Sequence, residues 1–482
     1  MFEMVLPLLH FAFSLLLLPH GYNCFLLLYG AARYRMGGGR PIMNHPMVTV
    51  QLPIYNERYV VSRLLRSVAG LHWPRDKLEI LVLDDSTDET SGLIDSEVER
   101  LRSEGVNIRV LRRRDRRGFK AGALQNALKH THGKYIAIFD ADFVPPPDFL
   151  ERTVAHLEED PRLGFVQARL GHLNRGYNRV TEMISLAIDG HFMIEQAGRD
   201  AMSTIINFNG SGGVLRTEAI LDVGGWRPEM LTEDLDISYR MRIRGWKSKY
   251  LRDVVVPGEV PINIVDFKNQ QSRWAVGSLQ CARRLMGELW RSGHLTLHQK
   301  LESTLHLTNY LIFPFMMMNI ILLVLLLILN SSPSPLFQSP FSILFSIGAL
   351  GASALYSYTV VLQGMSLREK LPYLGLLAAV GVGLSAHLTI SMLKSLFSKR
   401  LEFKTTPKYN LDGGRKEISG MVRPIWRRFL PEIVMASVVA LGIILAIRNQ
   451  ILPALSTLFI YLIGYSTIIF YSKPERNNNR KI

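Results

Sequence analysis

The feature that most constrains this 482-residue chain is a set of long apolar segments on both sides of a polar stretch, residues 47–293. The hydrocarbon core of a bilayer is about 30 Å thick, and a helix of roughly 20 apolar residues crosses it. Six segments approach or exceed this length: residues 5–32, 305–329, 341–362, 371–393, 433–447 and 451–471. The sequence therefore predicts a multi-pass integral membrane protein, in the cell membrane or, in a eukaryote, the Golgi.

Basic residues set the predicted orientation. The first segment is followed by Arg33 and Arg35 instead of a small-residue cleavage site, so we expect a retained anchor with the polar domain in the cytosol. Residues 396–430 carry nine Lys or Arg against three acids, which also favours the cytosol. This placement requires one preceding segment not to cross. Residues 371–393, which continue into the amphipathic ISMLKSLFSKR, are predicted to be re-entrant or interfacial.

Five regions are expected along the chain. They are an N-terminal anchor (1–40), a cytosolic domain (41–295), transmembrane or interfacial helices (296–395), a basic cytosolic loop (396–430) and a C-terminal transmembrane hairpin with a basic tail (431–482). The formal charge of +15 is compatible with nucleic acid, anionic membrane lipids or an anionic substrate. The two cysteines, Cys24 and Cys281, make a disulfide framework or a cysteine zinc site implausible, as expected in a reducing compartment.

The polar domain alternates short β-branched runs with helical stretches, which is typical of an α/β domain with a mostly parallel sheet. Strands are predicted at residues 48–53, 78–85, 106–111, 134–140 and 163–168, and helices at residues 60–69 and 121–130. Ligands of such folds collect where the parallel strands end. Three of the predicted strands end in Pro53, Asp84-Asp85 and Asp140, so polar residues lie where a site is expected.

The first acidic cluster is LDDSTDET, in which Asp84 and Asp85 follow a predicted strand with four aliphatic residues. Carboxylates at this position can accept hydrogen bonds from a ribose or from a ring nitrogen of a base. An equally good interpretation is that Asp84 caps the next helix while Asp85 is solvated.

The second cluster, FDADF, places Asp140 and Asp142 one residue apart after a strand. Two such carboxylates can share one Mg²⁺ or Mn²⁺ ion while a diphosphate supplies further oxygen ligands. Upstream lies RRRDRRGFKAGAL, where Lys120 and the following helix start favour phosphate binding. Its five arginines are predicted to form a solvated or lipid-facing charged surface.

Two further clusters complete the candidate site. In LTEDLD, Asp234 is the candidate general base that deprotonates an attacking hydroxyl, although Thr232 and Glu233 also suit a helix start. In NQQSRW, Trp274 offers a face on which a sugar ring can stack, Arg273 can bind diphosphate, and Gln270 can bind a sugar hydroxyl.

The ordered series QLPIYNE, LDDSTD, GFKAGAL, IFDADF, FNGSGGVLR, LTEDLD and QQSRW resembles the family 2 glycosyltransferases of the processive, membrane-bound kind. With EFKTTPK at residues 402–408, it is most similar to the cellulose-synthase-like mannan and glucan synthases and their bacterial counterparts. The resemblance implies a GT-A-like nucleotide-sugar-binding domain joined to a helical transmembrane bundle. It also implies inversion, from an α-linked donor to a β-linked product.

Site roles follow from that resemblance motif by motif. The implied donor-binding residues are Pro53, Tyr55, Glu57, Asp84, Asp85, Lys120, Asp140, Gln270, Arg273 and Trp274. The implied metal ligands are Asp140 and Asp142, and the implied base is Asp234. The acceptor would meet Asn209, Gly210, Ser211, Glu233 and Trp274. Two departures from the bacterial cellulose synthases, a single anchor before the polar domain and no evident cyclic-dinucleotide-binding module after the bundle, argue against cellulose and against that form of regulation.

Two functions stay open at this point. One is a synthase that extends a β-glycan from UDP-glucose or GDP-mannose and exports it through its own bundle. The other is a transferase that adds a single sugar to a membrane lipid such as a diacylglycerol, ceramide or polyprenyl phosphate. A nucleotide-dependent transporter or receptor is disfavoured because no G-x-x-x-x-G-K-[ST] motif is present. No nucleic-acid partner is expected, and the sequence identifies no accessory subunit.

Overall fold

The computed structural model describes residues 2–330, 341–397, 406–411 and 429–472. The predicted basic tail (Lys473, Arg476, Arg480 and Lys481) and most of the predicted basic loop lie outside the described residues.

A seven-stranded sheet forms the centre of the polar domain. The strands are β1 Val48–Ile54, β2 Leu78–Asp84, β3 Ile108–Arg112, β4 Tyr135–Ile138, β5 Leu163–His172, β6 Gly213–Arg216 and β7 Lys247–Gly258, in the order β3-β2-β1-β4-β6-β5-β7. The four strands β1 to β4 are parallel to each other, β5 is parallel to β7, and β6 is antiparallel to both of its neighbours. The prediction of a mostly parallel sheet is confirmed, and β6 and β7 were not predicted.

The two faces of the sheet are both covered, which explains why its central strands are nearly continuous apolar runs. One face of β1 and β2 packs on the amphipathic helices that follow these strands, through Val50, Leu64 and Val98. The other face packs on the helix after β3 through Leu124, in a buried cluster that also includes Leu27 of the first membrane helix. The membrane anchor is therefore part of the core of the polar domain.

Seventeen α-helices are described. They are α1 Phe2–Arg33, α2 Val61–Ala69, α3 Thr90–Ser103, α4 Phe119–Ala127, α5 Phe149–Glu159, α6 Arg179–Gly190, α7 Ala197–Ala201, α8 Thr217–Asp222, α9 Glu233–Ile243, α10 Ile264–Arg291, α11 Leu297–Leu307, α12 Ile312–Ile328, α13 Phe341–Leu362, α14 Leu367–Gly383, α15 Ser385–Phe397, α16 Leu430–Arg448 and α17 Ala454–Tyr471. A π-helical segment, His191–Gln196, joins α6 to α7.

Six stretches of the described chain are long and apolar enough to cross a membrane. They are Val5–Arg33, Asn309–Ile328, Ile343–Leu362, Leu367–Phe397, Leu430–Arg448 and Ala454–Tyr471. Small residues bring these helices into close contact, as is usual in membrane bundles. A Cβ added to Gly21 of α1 would lie 2.2 Å from the carbonyl oxygen of Gly348 in α13, so only glycine fits there.

Polar contacts show which ends of the bundle helices lie together. The Asn449 side chain, after α16, donates a 2.7 Å hydrogen bond to the carbonyl of Leu327 near the end of α12. The α14–α15 pair is different, because both of its ends contact the α/β domain and the helix that continues it. Lys370 of α14 forms a 2.8 Å ion pair with Glu182 of α6. The hydroxyls of Ser391 in α15 and Ser272 in α10 are 3.2 Å apart.

Candidate active site

A cavity of about 570 Å³ opens at the carboxyl ends of β1, β2 and β4 and continues towards the membrane helices. It is lined by nearly all of the residues that the sequence analysis singled out. These are Pro53, Tyr55, Glu57, Asp85, Lys120, Asp140, Asp142, Asn209, Gly210, Glu233, Asp234, Gln270, Arg273 and Trp274. The clusters that are dispersed in the sequence therefore meet in one place, as expected for residues at the carboxyl ends of parallel strands.

Two of the predicted residues do not line this cavity. Asp84 is buried beside it, where its carboxylate accepts hydrogen bonds from the Ser86 backbone N–H at 3.0 Å and from Ser91 and Arg112 at 2.8 Å. The structure thus corrects its proposed donor contact: Asp84 organises the loop and helix after β2. Ser211 accepts a 3.0 Å hydrogen bond from the Asp140 backbone N–H, so it holds the FDADF turn instead of lining the cavity.

At the end of the cavity beside β2, Asp85 and Tyr55 each contact an arginine. Arg113 donates hydrogen bonds to both carboxylate oxygens of Asp85, and its Nε lies 3.0 Å from Oδ1. The Arg116 guanidinium carbon lies 3.2 Å from the centroid of the Tyr55 ring, and Arg116 lines the cavity. The prediction that all five arginines form a solvated or lipid-facing surface is therefore wrong for these two, although Arg114 and Arg117 are exposed.

Lys120 lies at the centre of the cavity's charge network. Its ammonium donates to Asp140 Oδ1 at 2.6 Å and to the Gly210 carbonyl at 2.8 Å, and it lies 3.7 Å from Glu233 Oε1. Burial by itself lowers the pKa of Lys120, but the facing carboxylates Asp140 and Glu233 outweigh it and raise the pKa. Lys120 is therefore a charged donor, and its contact with a diphosphate stays a prediction.

Asp142 has a partner that the sequence analysis did not assign to the site. Its Oδ2 accepts hydrogen bonds from the Glu259 backbone N–H at 2.9 Å and from the Lys408 ammonium at 2.7 Å. Lys408 belongs to the short segment Thr406–Leu411 that packs against the cavity, and Thr406 and Lys408 both line it. In the sequence, the only indication that this segment belongs with the site was the resemblance of the motif EFKTTPK to the family.

Glu57 completes this corner of the cavity. Burial raises the pKa of its carboxyl to about 8, with a further increase from Asp142 and Asp140 that Lys408 opposes. Glu57 is therefore a carboxyl whose protonation state depends on the charges bound beside it.

The carboxylates present match the chemistry of a hard divalent cation but supply only part of its coordination. Within the described part of the chain, no group of three or more His, Cys, Asp or Glu side chains is arranged to hold a metal. Asp140 and Asp142 line the cavity from one turn, and Mg²⁺ is commonly bound by one or two carboxylates together with substrate phosphates. The residues therefore fit an ion that is held jointly by this turn and a diphosphate.

Asp234 lies in the first turn of α9 and lines the cavity. Its Oδ1 accepts a 2.8 Å hydrogen bond from the Leu235 backbone N–H, which fixes the carboxylate. A Cβ added to Gly210, where φ is +77°, would lie 3.1 Å from both Asp234 Oδ2 and Lys120 Nζ. Burial raises the pKa of Asp234, and Lys120 opposes the shift. A carboxylate with a raised pKa suits proton abstraction near neutral pH.

Gln270, Arg273 and Trp274, the QxxRW residues, lie on the N-terminal half of α10. This helix begins at a capped turn, in which the Asn263 side chain accepts a 2.9 Å hydrogen bond from the Asp266 backbone N–H. Burial lowers the pKa of Arg273, opposed by the negative charges of Glu233, Asp140 and Asp234. Among the described residues, the buried Oε1 of Gln270 has no hydrogen-bond partner. The side-chain oxygen of Gln270 is therefore available to a bound substrate.

The cavity is also lined by residues of the bundle helices, and by His191 and Glu195, which the sequence analysis missed. Asn209 lies 3.0 Å from His191 Nε2, and His191 Nδ1 lies 3.1 Å from Glu195 Oε2 on the π-helical segment. The part of the lining that comes from the helical bundle is largely aromatic and apolar and includes Tyr310, Phe313, Tyr356, Leu377, Val380, Gly381 and Leu384. The cavity lining thus combines charged, polar, aromatic and apolar side chains.

The chain matches two family models. "Glycosyl transferase family 2" matches residues 49–215, and "Glycosyl transferase family group 2" matches residues 135–356. Together they cover residues 49–356 of the 482-residue chain.

Curated relatives are similar over the same region. A glucomannan 4-beta-mannosyltransferase 7 of Arabidopsis thaliana is 40% identical over 53% of this chain and 47% of that protein. A probable glucomannan 4-beta-mannosyltransferase 11 of Arabidopsis thaliana is 40% identical over 54% of this chain and 59% of that protein. The chain thus spans about half the length of the curated relatives it matches.

The fold also has a solved relative. A mannosyltransferase of Pyrobaculum calidifontis, determined in complex with GDP-Man and Mn²⁺, covers 83% of this chain and 99% of its own length at 22% identity, with a TM-score of 0.51. At this identity the likeness concerns the fold alone, and it confirms the predicted fold class of the α/β domain.

Proposed function

Because the chain belongs to glycosyltransferase family 2, we propose that it is an inverting mannosyltransferase that extends a β-linked glycan at the membrane with GDP-mannose as donor. One observation carries the proposal: a single cavity collects the FDADF carboxylates, Lys120, Asp234 and the QxxRW side chains, and it continues between membrane helices. The choice of mannose is supported by relatives 40% identical that are named glucomannan 4-beta-mannosyltransferases.

The donor diphosphate is proposed to lie between Lys120, Arg273 and the FDADF turn. Lys120 is a buried cation, and Arg273 can offer a planar set of donors to phosphate oxygens. A Mg²⁺ or Mn²⁺ ion held by Asp140 and Asp142 would neutralise negative charge on the leaving nucleoside diphosphate. Lys120 and Arg273 stabilise the same developing charge from the protein side.

The acceptor is proposed to approach from the opposite end of the cavity. Trp274 provides a ring face for the terminal sugar, and Asn209 and Glu233 provide hydrogen-bonding groups around it. Asp234 would take the proton from the attacking hydroxyl, because its carboxylate lies beside Gly210 and Lys120 in the same region. A single displacement with one base inverts the anomeric centre, in keeping with the family.

The membrane arrangement we propose follows from contacts of the bundle. Both ends of the α14–α15 pair contact the α/β domain or α10, through Lys370 and Ser391, which supports a segment that returns to the side it starts from. The described piece of the basic loop contacts the cavity through Lys408, which supports placing that loop on the same side. The basic flank of α1 then favours the cytosol for this side.

The test is to incubate the purified full chain, in lipid nanodiscs with Mn²⁺, with labelled GDP-mannose or UDP-glucose. We expect incorporation from GDP-mannose into material that stays in the aqueous phase and is degraded by an endo-β-mannanase. Product that partitions wholly into organic solvent as one glycolipid band would replace this proposal with the lipid glycosyltransferase. The Asp234→Asn variant serves as the inactive control.

A further inference from the structure

The arginine stretch after β3 contains one side chain whose placement differs from that of its neighbours. Arg113 is fully engaged: besides Asp85, it donates to the carbonyls of Arg117 at 2.9 Å and of Phe119 at 3.0 Å. Arg116 instead lies on the cavity wall, and its buried Nε has no hydrogen-bond partner among the described residues. A buried donor without a partner costs stability unless a ligand satisfies it.

Two aromatic rings hold the Arg116 guanidinium in place. It lies 3.2 Å from the centroid of Tyr55 and 5.1 Å from that of Phe119, both within the range of cation–π contacts. Burial lowers the pKa of Arg116, opposed by Tyr55 and Asp85, but an arginine stays charged. The guanidinium is therefore a pre-positioned cation, and a ligand that binds it loses little side-chain entropy.

The position of Arg116 in the cavity indicates what it would meet. Lys120 and the FDADF turn occupy the part of the cavity proposed for the diphosphate, and Arg116 lies with Tyr55 and Asp85 at the β2 side of that part. Under the proposed function, on which this inference rests, this is the end that receives the nucleobase of the donor. We propose that Arg116 is the residue that selects guanine over uracil.

The hydrogen-bonding edges of the two bases explain the selection. Guanine carries two adjacent acceptors, O6 and N7, which match the paired donors of a guanidinium. Its N1–H and 2-amino group can donate hydrogen bonds to a carboxylate such as Asp85. Uracil can also donate one N–H to a carboxylate, but it offers no pair of adjacent acceptors to the arginine. Asp85 alone therefore serves either base, and Arg116 adds the preference.

The experiment measures binding of GDP and UDP, with Mn²⁺, to the full chain in nanodiscs by titration calorimetry. The wild type is expected to bind GDP more tightly than UDP. Arg116→Gln should weaken GDP binding by roughly 10- to 100-fold, the value of a bidentate arginine contact to guanine, and leave UDP binding within about threefold. Arg114→Gln, which changes an exposed arginine of the same stretch, is the matched control and should change neither.

A ligand change tests the same contact without relying on a variant that must fold. 7-Deaza-GDP lacks the N7 acceptor, so it should bind the wild type more weakly than GDP does. The Arg116→Gln variant should bind 7-deaza-GDP and GDP with equal affinity. An unchanged GDP-to-UDP affinity ratio in Arg116→Gln, or equal wild-type affinities for GDP and 7-deaza-GDP, would overturn the role of Arg116. A wild type that prefers UDP would instead overturn the proposed donor, and mannan synthesis would be tested separately by product analysis.

Discussion

Replacing Asp234 by asparagine removes the proposed base while it preserves most of the surrounding structure. The amide oxygen of asparagine can keep the 2.8 Å hydrogen bond from the Leu235 backbone N–H. Lys120 keeps its 2.6 Å contact with Asp140 and its proximity to Glu233, so no buried cation is left alone. We therefore expect the variant to fold and to bind the donor with an affinity close to that of the wild type.

The expected loss is confined to the chemical step. Removing a general base lowers turnover by roughly 10² to 10⁴-fold, which corresponds to about 3–5 kcal/mol of activation free energy at 1.36 kcal/mol for each factor of ten. The assay is mannose incorporation at saturating GDP-mannose, with GDP affinity measured in parallel. Glu233→Gln is the comparison variant, because Glu233 is the adjacent carboxylate in the same cavity. We expect it to raise the acceptor KM more than it lowers kcat.

The pH profile gives an independent readout of the same residue. Burial raises the pKa of Asp234 above that of an ordinary aspartate, and the base must be unprotonated to act. Wild-type kcat should therefore be at its maximum above this raised pKa and should fall as the pH drops through it. In Asp234→Asn, this decrease of kcat at low pH should be absent. Turnover that is unchanged in Asp234→Asn, or a Glu233→Gln variant that loses the 10²-fold or more expected of Asp234→Asn, would refute the assignment.

Three further variants test other parts of the cavity. Lys408→Met removes an ammonium from the FDADF carboxylates, so Mn²⁺ should bind the donor-free protein about tenfold more tightly; unchanged affinity by calorimetry would contradict this. Gly210→Ala inserts a Cβ 3.1 Å from Asp234 and Lys120 at a positive φ, which costs about 1–2 kcal/mol. Both kcat and the unfolding temperature should fall, and a fully active variant would count against the packing. Trp274→Ala should raise the acceptor KM by about 3- to 10-fold with little change for the donor, as initial-rate kinetics would show.

The sequence predicted those parts of the fold in which local pattern and burial agree. Strands β1 and β2 are buried on both faces, so their residues read as uninterrupted β-branched and aliphatic runs. Strand β7 was missed because KSKYLRDVVVPG begins with charged residues on a partly exposed strand. Strand β6 has only four residues and no alternation that could reveal it.

The same distinction applies to the site. Asp85, Asp140 and Asp234 follow or begin regular elements, so their convergence could be anticipated from strand order and helix starts. Lys408 could not be placed this way, because it contacts a carboxylate 266 residues away in the chain. Arg116 was assigned to the surface since a run of arginines usually is solvated, and only the packing of Tyr55 against it distinguishes it from its neighbours.

The geometry of the cavity also depends on the membrane bundle, which no local pattern reveals. Lys268, two residues before Gln270 on α10, forms a 2.5 Å ion pair with Glu432 at the start of α16, and both side chains are almost fully buried. A buried pair of this kind contributes little net stability, but losing one partner leaves an uncompensated charge and costs about 3–5 kcal/mol. The pair therefore resists displacement of α10 relative to α16. Because α10 also carries Arg273 and Trp274, the positions of the proposed phosphate and acceptor contacts are set by the membrane helix as much as by the α/β domain.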